Sequence, residues 1–109
     1  MTEPAEISAV LVALADQTRR ALLDVLADEG SASATTLATR LPVSRQAVLK
    51  HLNVLTEAEL VESDRIGREV RYRVRPAALD ASARWLADLA ATWDRRLAML
   101  KRIAEAAQD

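Results

Sequence analysis

The sequence predicts a mainly α-helical fold that carries one small β-hairpin and ends in a long helix. Three observations predict it. Apolar residues recur at helical spacing through most of the 109 residues, and two Gly and three Pro leave few breakers. After Leu60 the period changes to two, with Val70, Tyr72 and Val74 alternating with Arg71, Arg73 and Arg75. From Pro76 the helical period returns and runs to about Ala106. At this length the chain, residues 1–109, fits one domain with a modest core that a subunit interface would help to stabilise.

Ile7, Val10, Leu11 and Leu14 repeat at helical spacing, so a first helix spans roughly 5–15. Asp16 is placed to cap a second helix, with Leu22, Leu23, Val25 and Leu26 as its apolar side and Gly30 beyond its end. Ser33 is placed to cap a short third helix through Ala38 and Arg40, buried by Leu37 and Leu41. Pro42 then breaks the chain. The turn Leu41-Pro42-Val43 leads straight to Ser44, the cap of a fourth helix over about 45–58. Two helices joined by so tight a turn, over about 33–58, make a helix-turn-helix.

In the fourth helix Val48, Leu52 and Leu55 fall at i, i+4 and i+7 and point to a core. Arg45, Gln46, Leu49, Lys50 and Asn53 are left on the other side. That mixture suits the major groove of DNA. Arg and Gln make paired hydrogen bonds to base edges, Lys neutralises phosphate, and Leu lies against a thymine methyl. A polar helix face alone fits plain solvation equally well, so the surroundings decide. The whole chain has a formal net charge of −1, yet residues 40–75 carry eight Lys/Arg against five Asp/Glu, a net of +3. Binding follows the local field of a patch rather than the overall balance.

A strand over about 61–65 precedes Ile66-Gly67-Arg68, where Gly67 supplies the backbone freedom of a hairpin turn. The hairpin, over about 60–75, carries Arg65, Arg68, Arg71 and Arg73. An arginine-studded strand also fits an edge protected against aggregation. The helix just upstream favours phosphate or minor-groove contact instead.

Leu86, Trp93 and Leu100 lie seven apart, with Leu89, Leu97 and Ala104 between them, which predicts a terminal helix over about 77–106. Its stretch from about 80 to 105 alone is about 40 Å long. One small domain does not cover that length. The first turns are expected to cover the chain's own core and the later ones to meet a second copy, with Trp85 and Trp93 as anchors.

Other chemistries find little support. The absence of Cys excludes disulfides, thiolate metal sites and thiol redox sensing by this chain. No apolar run approaches a membrane span, and the acidic start (Glu3, Glu6) is unlike a signal peptide, so a cytoplasmic protein is the default expectation. The one histidine, His51, is expected to pack and hydrogen-bond within the fold, because a metal site needs several convergent ligands. The last helix offers Asp80, Asp88 and Asp94 but no His, and neither a metal nor a cofactor is expected. Catalysis needs a nucleophile with a base, a carboxylate pair in a cleft or a metal. Ser44 has no apparent partner and already caps a helix, so no enzyme is expected.

Helix, helix, helix-turn-helix, basic hairpin and long terminal helix make the winged-helix plan. Residues 13–23 (Ala-Leu-Ala-Asp-Gln-Thr-Arg-Arg-Ala-Leu-Leu), 44–55, 57–61 (Glu-Ala-Glu-Leu-Val) and 67–73 (Gly-Arg-Glu-Val-Arg-Tyr-Arg) carry a closer match. Over about 10–75 the chain resembles the ArsR family of bacterial transcriptional repressors. The resemblance implies a homodimer that binds a palindromic double-stranded DNA operator and is released by a signal. Carried over by position, it implies DNA contacts from Ser44, Arg45, Gln46, Leu49 and Lys50, with Arg68 and Arg71 from the wing, and phosphate contact from Thr35 and Thr36. It also implies a dimer interface of the first and last helices, here Ile7, Val10, Leu11 and Leu14 with Leu89, Trp93, Leu97 and Leu100. The family's metal sensors use Cys near the reading helix, or Asp and His on the last helix, and this chain lacks those sets. A small apolar effector in the dimer cleft and control by protein level alone both stay open.

Three positions depart from the family pattern. Gln17 stands where Pro is frequent. Leu49 replaces a small hydroxyl residue and shifts base preference toward apolar contact. Glu59 stands where Gly is usual, and the strain of a left-handed Glu there predicts a rearranged helix end. The competing class is a winged-helix module that binds protein, against which the five Arg between 65 and 75 argue.

Overall fold

The computed structural model describes residues 4–108. In chain order the elements are α1 (Ala5–Leu14), α2 (Gln17–Glu29), β1 (Ala32–Ser33), α3 (Ala34–Arg40), α4 (Arg45–Glu57), β2 (Val61–Ile66), β3 (Glu69–Val74) and α5 (Pro76–Ala107). Side-chain oxygens cap three of the helices. Asp16 accepts from the Arg19 amide, Ser33 from Thr36 and Ser44 from Ala47, at 3.0–3.1 Å. Each satisfies a backbone donor that the first helical turn leaves free.

The hairpin is part of a larger sheet than its sequence pattern announces. The antiparallel order is β1-β3-β2, with Ala32 opposite Tyr72 and Ser33 opposite Arg71. A two-residue strand is too short to show a period, which is why it escaped the sequence. In the β2–β3 ladder Val61 faces Val74 and Ile66 faces Glu69, so Gly67 and Arg68 form the loop. Gly67 takes φ +65, the left-handed backbone that such a two-residue loop requires at its first central position.

The end of α4 corrects an expectation. Glu59 adopts φ 61, and the left-handed reversal is kept without rearrangement. The Leu60 amide donates to Leu55 O (2.9 Å) and the Glu59 amide to Thr56 O (3.0 Å), the paired bonds of a Schellman motif. Burial of Leu60 and Val61 drives the chain through this turn, and the turn supplies partners for two end-of-helix carbonyls.

The core collects Leu22, Val25 and Leu26 of α2, Leu37 of α3, Val48, Leu52 and Leu55 of α4, and Leu60 and Val61 at the wing base. It also takes in Val10 and Ala13 of α1. Tyr72, Val74, Ala78 and Leu79 close its edge. Arg19 and Arg20 serve the C-terminal carbonyls of α1: Arg19 donates to Ala13 O (2.7 Å) and Val12 O (3.2 Å), and Arg20 to Leu14 O (2.6 Å). The second Arg19 branch lies 3.4 Å from His51 Nδ1. A guanidinium only donates, so the ring nitrogen is the acceptor. His51 thus hydrogen-bonds within the fold, and the described residues contain no cluster of three metal-ligating groups.

The molecule measures 73 × 25 × 21 Å because α5 runs on past the core. Ser82 is buried near its start, whereas Leu86, Trp93, Leu97, Met99, Leu100 and Ile103 are exposed. Among the described residues no helix is long and apolar enough to cross a membrane.

Candidate nucleic-acid interface

Burial of Val48, Leu52 and Leu55 fixes the roll of α4 and turns Arg45, Gln46, Lys50 and Asn53 to solvent. Leu49 is half-buried against the core, so only part of it is free for a base. At the start of α3, Thr35 and Thr36 are exposed, and the Thr35 hydroxyl accepts from Arg45 Nε at 3.1 Å. Across from them stands the wing. A groove of about 460 Å³ runs between the two, lined by Thr35, Thr36, Arg45 and Leu49 on one wall and Arg68, Val70 and Tyr72 on the other. Five of the residues assigned to DNA from sequence therefore meet in one groove. Gln46, Lys50 and Asn53 extend the same surface along α4, Arg65 extends it along β2, and Ser44 sits at the helix cap.

Ion pairing divides the cations of residues 40–75 in half. Arg40 pairs with Glu29 (2.5 Å) and Asp28 (3.6 Å), and Arg75 with Glu62 (3.7 Å). Arg73 is held by Glu62 (2.9 Å) and Asp64, and the hydrogen bond it donates to Asp64 is the main cause raising its pKa further. Arg71 contacts Glu69 at 3.3 Å. Arg45, Lys50, Arg65 and Arg68 have no acidic partner among the described residues, and they hold the field that faces outward. Arg71 and Arg73, expected from the sequence as wing contacts to DNA beside Arg68, are ion-paired within the hairpin. Antiparallel register puts Asp64 opposite Arg71 and Glu62 opposite Arg73, so acids and bases share a face.

The assigned dimer residues also separate. Ile7 and Val10 are 6% and 1% exposed, enclosed by this chain's own elements, and present no free surface. They lie on the side of α1 that packs inward. Leu11, Leu14 and Leu89 are half-buried, whereas Trp93, Leu97 and Leu100 are bare. Sequence reasoning did not single out Val12, an apolar residue of α1 that is 65% exposed. It also missed the groove wall made by Val70 and Tyr72, which the alternation of β3 had marked only as half-buried.

Comparison with known proteins agrees with this geometry. A helix-turn-helix domain family matches residues 14–64. The transcriptional repressor SdpR of Bacillus subtilis is 32% identical over 77 residues, 71% of this chain and 84% of the relative. A solved ArsR-like transcriptional regulator from Rhodococcus sp. RHA1 is 53% identical, with TM-score 0.83, over 92% of this chain and 93% of that one. The chain belongs to the ArsR family of transcriptional regulators. Its fold is the winged helix-turn-helix of this family, with α3 and α4 as the DNA-binding helix pair, β2 and β3 as the wing and α5 as the long terminal helix. A homodimeric winged helix-turn-helix DNA-binding domain from Mycobacterium bovis, described as a possible ArsR-family regulator, is 29% identical with TM-score 0.61, over 84% of this chain and 82% of that one.

Proposed function

We propose that this ArsR-family regulator is a homodimeric repressor that reads a palindromic operator. The carrying observation is the outward row of Arg45, Lys50, Arg65 and Arg68, without acidic partners among the described residues, beside Gln46 and Asn53. Two copies of α4 would enter successive major grooves about 34 Å apart. Arg45 and Gln46 discriminate bases, and Lys50, Arg65, Arg68, Thr35 and Thr36 contact phosphate. The exposed apolar stripe from Leu86 to Ile103, with Val12, supports pairing with a second copy. The repressor name of the Bacillus relative and the homodimeric Mycobacterium bovis domain support the same reading. Bound over a promoter, the dimer excludes polymerase.

The test is selection of sites from a random DNA pool, followed by a salt series on the winner. A two-fold symmetric motif with half-sites about one helical turn apart supports the proposal. Absence of enrichment at low salt overturns it and turns attention to protein partners.

A further inference from the structure

Arg71 differs from the other wing arginines in what it holds. Its Nε donates to Ser31 Oγ at 3.1 Å and its Nη2 to Ser31 O at 3.0 Å, forty residues away in sequence. Glu69 steadies the remaining nitrogen at 3.3 Å. Ser31 immediately precedes β1, which joins β3 through only the pairs Ala32–Tyr72 and Ser33–Arg71. Such a short ladder is a weak connection, and two charge-assisted bonds extend it by one residue. The next residues are functional in position. Ser33 caps α3 through the Thr36 amide and its hydroxyl donates to Thr36 Oγ1 (3.2 Å), and Thr35 accepts from Arg45. A continuous run of bonds thus links the wing, the start of α3 and the first residue of α4.

We propose that Arg71 is a positioning residue that latches the start of α3 to the wing, and so sets the groove between Thr35, Thr36 and Arg45 on one side and Arg68 on the other. Its guanidinium acts on Ser31 and not on phosphate. The proposal deepens the DNA-binding reading and rests on it. Lysine has no planar fork to reach both Ser31 atoms, so charge alone does not replace the arginine.

The experiment compares wild type, Arg71→Lys, Arg71→Gln and Ser31→Ala on the selected operator across a salt series, with amide exchange of residues 32–36 in the free protein. Arg71→Lys and Arg71→Gln are expected to weaken binding alike, by about five- to tenfold. The salt slope stays at the wild-type value, and exchange at 32–36 becomes faster. Ser31→Ala, which removes one bond of the two, should give a smaller loss of the same kind and keeps the test available where the Arg71 variants fold poorly. A slope shallower by about one in Arg71→Gln, with restoration by Arg71→Lys, overturns the proposal in favour of a phosphate contact. Unchanged affinity in folded variants overturns it too. If the wild-type chain binds no DNA, the functional reading fails by itself. The latch is then judged by exchange, with unchanged protection at 32–36 counting against it.

Discussion

Glu59 is the one non-glycine among the described residues with a left-handed backbone. Its φ of 61 brings its Cβ toward backbone that glycine leaves open. Glu59→Gly should therefore stabilise the fold by about 1 kcal/mol, read as a rise in melting temperature. A fall would show that the Glu side chain compensates for the strain. Asp16 gives a second residue-scale prediction. The Arg19 amide bonded to its carboxylate is the main cause holding its pKa below the ordinary carboxylate range, aided by the Arg19 charge. A lowered folded pKa means stability present above the unfolded value and lost as pH falls through the folded one. Asp16→Ala should lower the melting temperature by several degrees at neutral pH, whereas Asp16→Asn keeps the cap and costs less. The gap between wild type and Asp16→Asn should close below about pH 4, and a gap constant with pH would rule the linkage out. Caps of this kind are legible in sequence because donor and acceptor lie three residues apart. The partner of Arg71 was not legible, because it lies forty residues away.

At the scale of elements, the proposed function divides the work of recognition between α4 and the wing. Gln46 is exposed, with no side-chain partner among the described residues, so its amide is available to a base edge. Gln46→Ala should relax preference at one operator position by about 1–3 kcal/mol. Equal losses on all sequences would show that it reads no base. Arg68 lies at the tip of the hairpin and lines the groove. Arg68→Ala should weaken binding uniformly and make the salt slope shallower by about one. A retained slope would place Arg68 off the phosphates. The reading helix was legible almost to its ends, because the three apolar positions that bury it also define its outward face. The wing was legible as a hairpin but not as a charge distribution. Counting arginines treats Arg73 and Arg68 alike, whereas strand register sets Arg73 between Glu62 and Asp64 and leaves Arg68 at the turn.

For the whole molecule, the decisive feature is the length of α5 beyond the core. Trp93 is 52% exposed and carries Arg96 against its ring at 5.5 Å, within a stripe that continues through Leu97, Leu100 and Ile103. An apolar surface of this extent on a small chain is stable in water when a second copy covers it. Trp93→Asp should give monomers in sedimentation, and these should bind the operator poorly because a half-site alone holds one reading helix. An intact dimer would refute the assigned interface.

The order and type of the helices, the hairpin, the caps and the inward faces of α2 and α4 were determined by sequence alone, because each rests on a period or a contact within a few residues. The resemblance to the ArsR family stood on the same local segments. Tertiary structure decided what depends on distant neighbours. It added β1 to the sheet, paired half of the cations of the basic segment with acids of α2 and of the hairpin, and turned Ile7 and Val10 into this chain's own core while leaving Val12 bare. The physical reason is common to all three. A sequence shows which residues carry charge or apolar surface, but pairing and burial are set by register and packing between elements far apart along the chain.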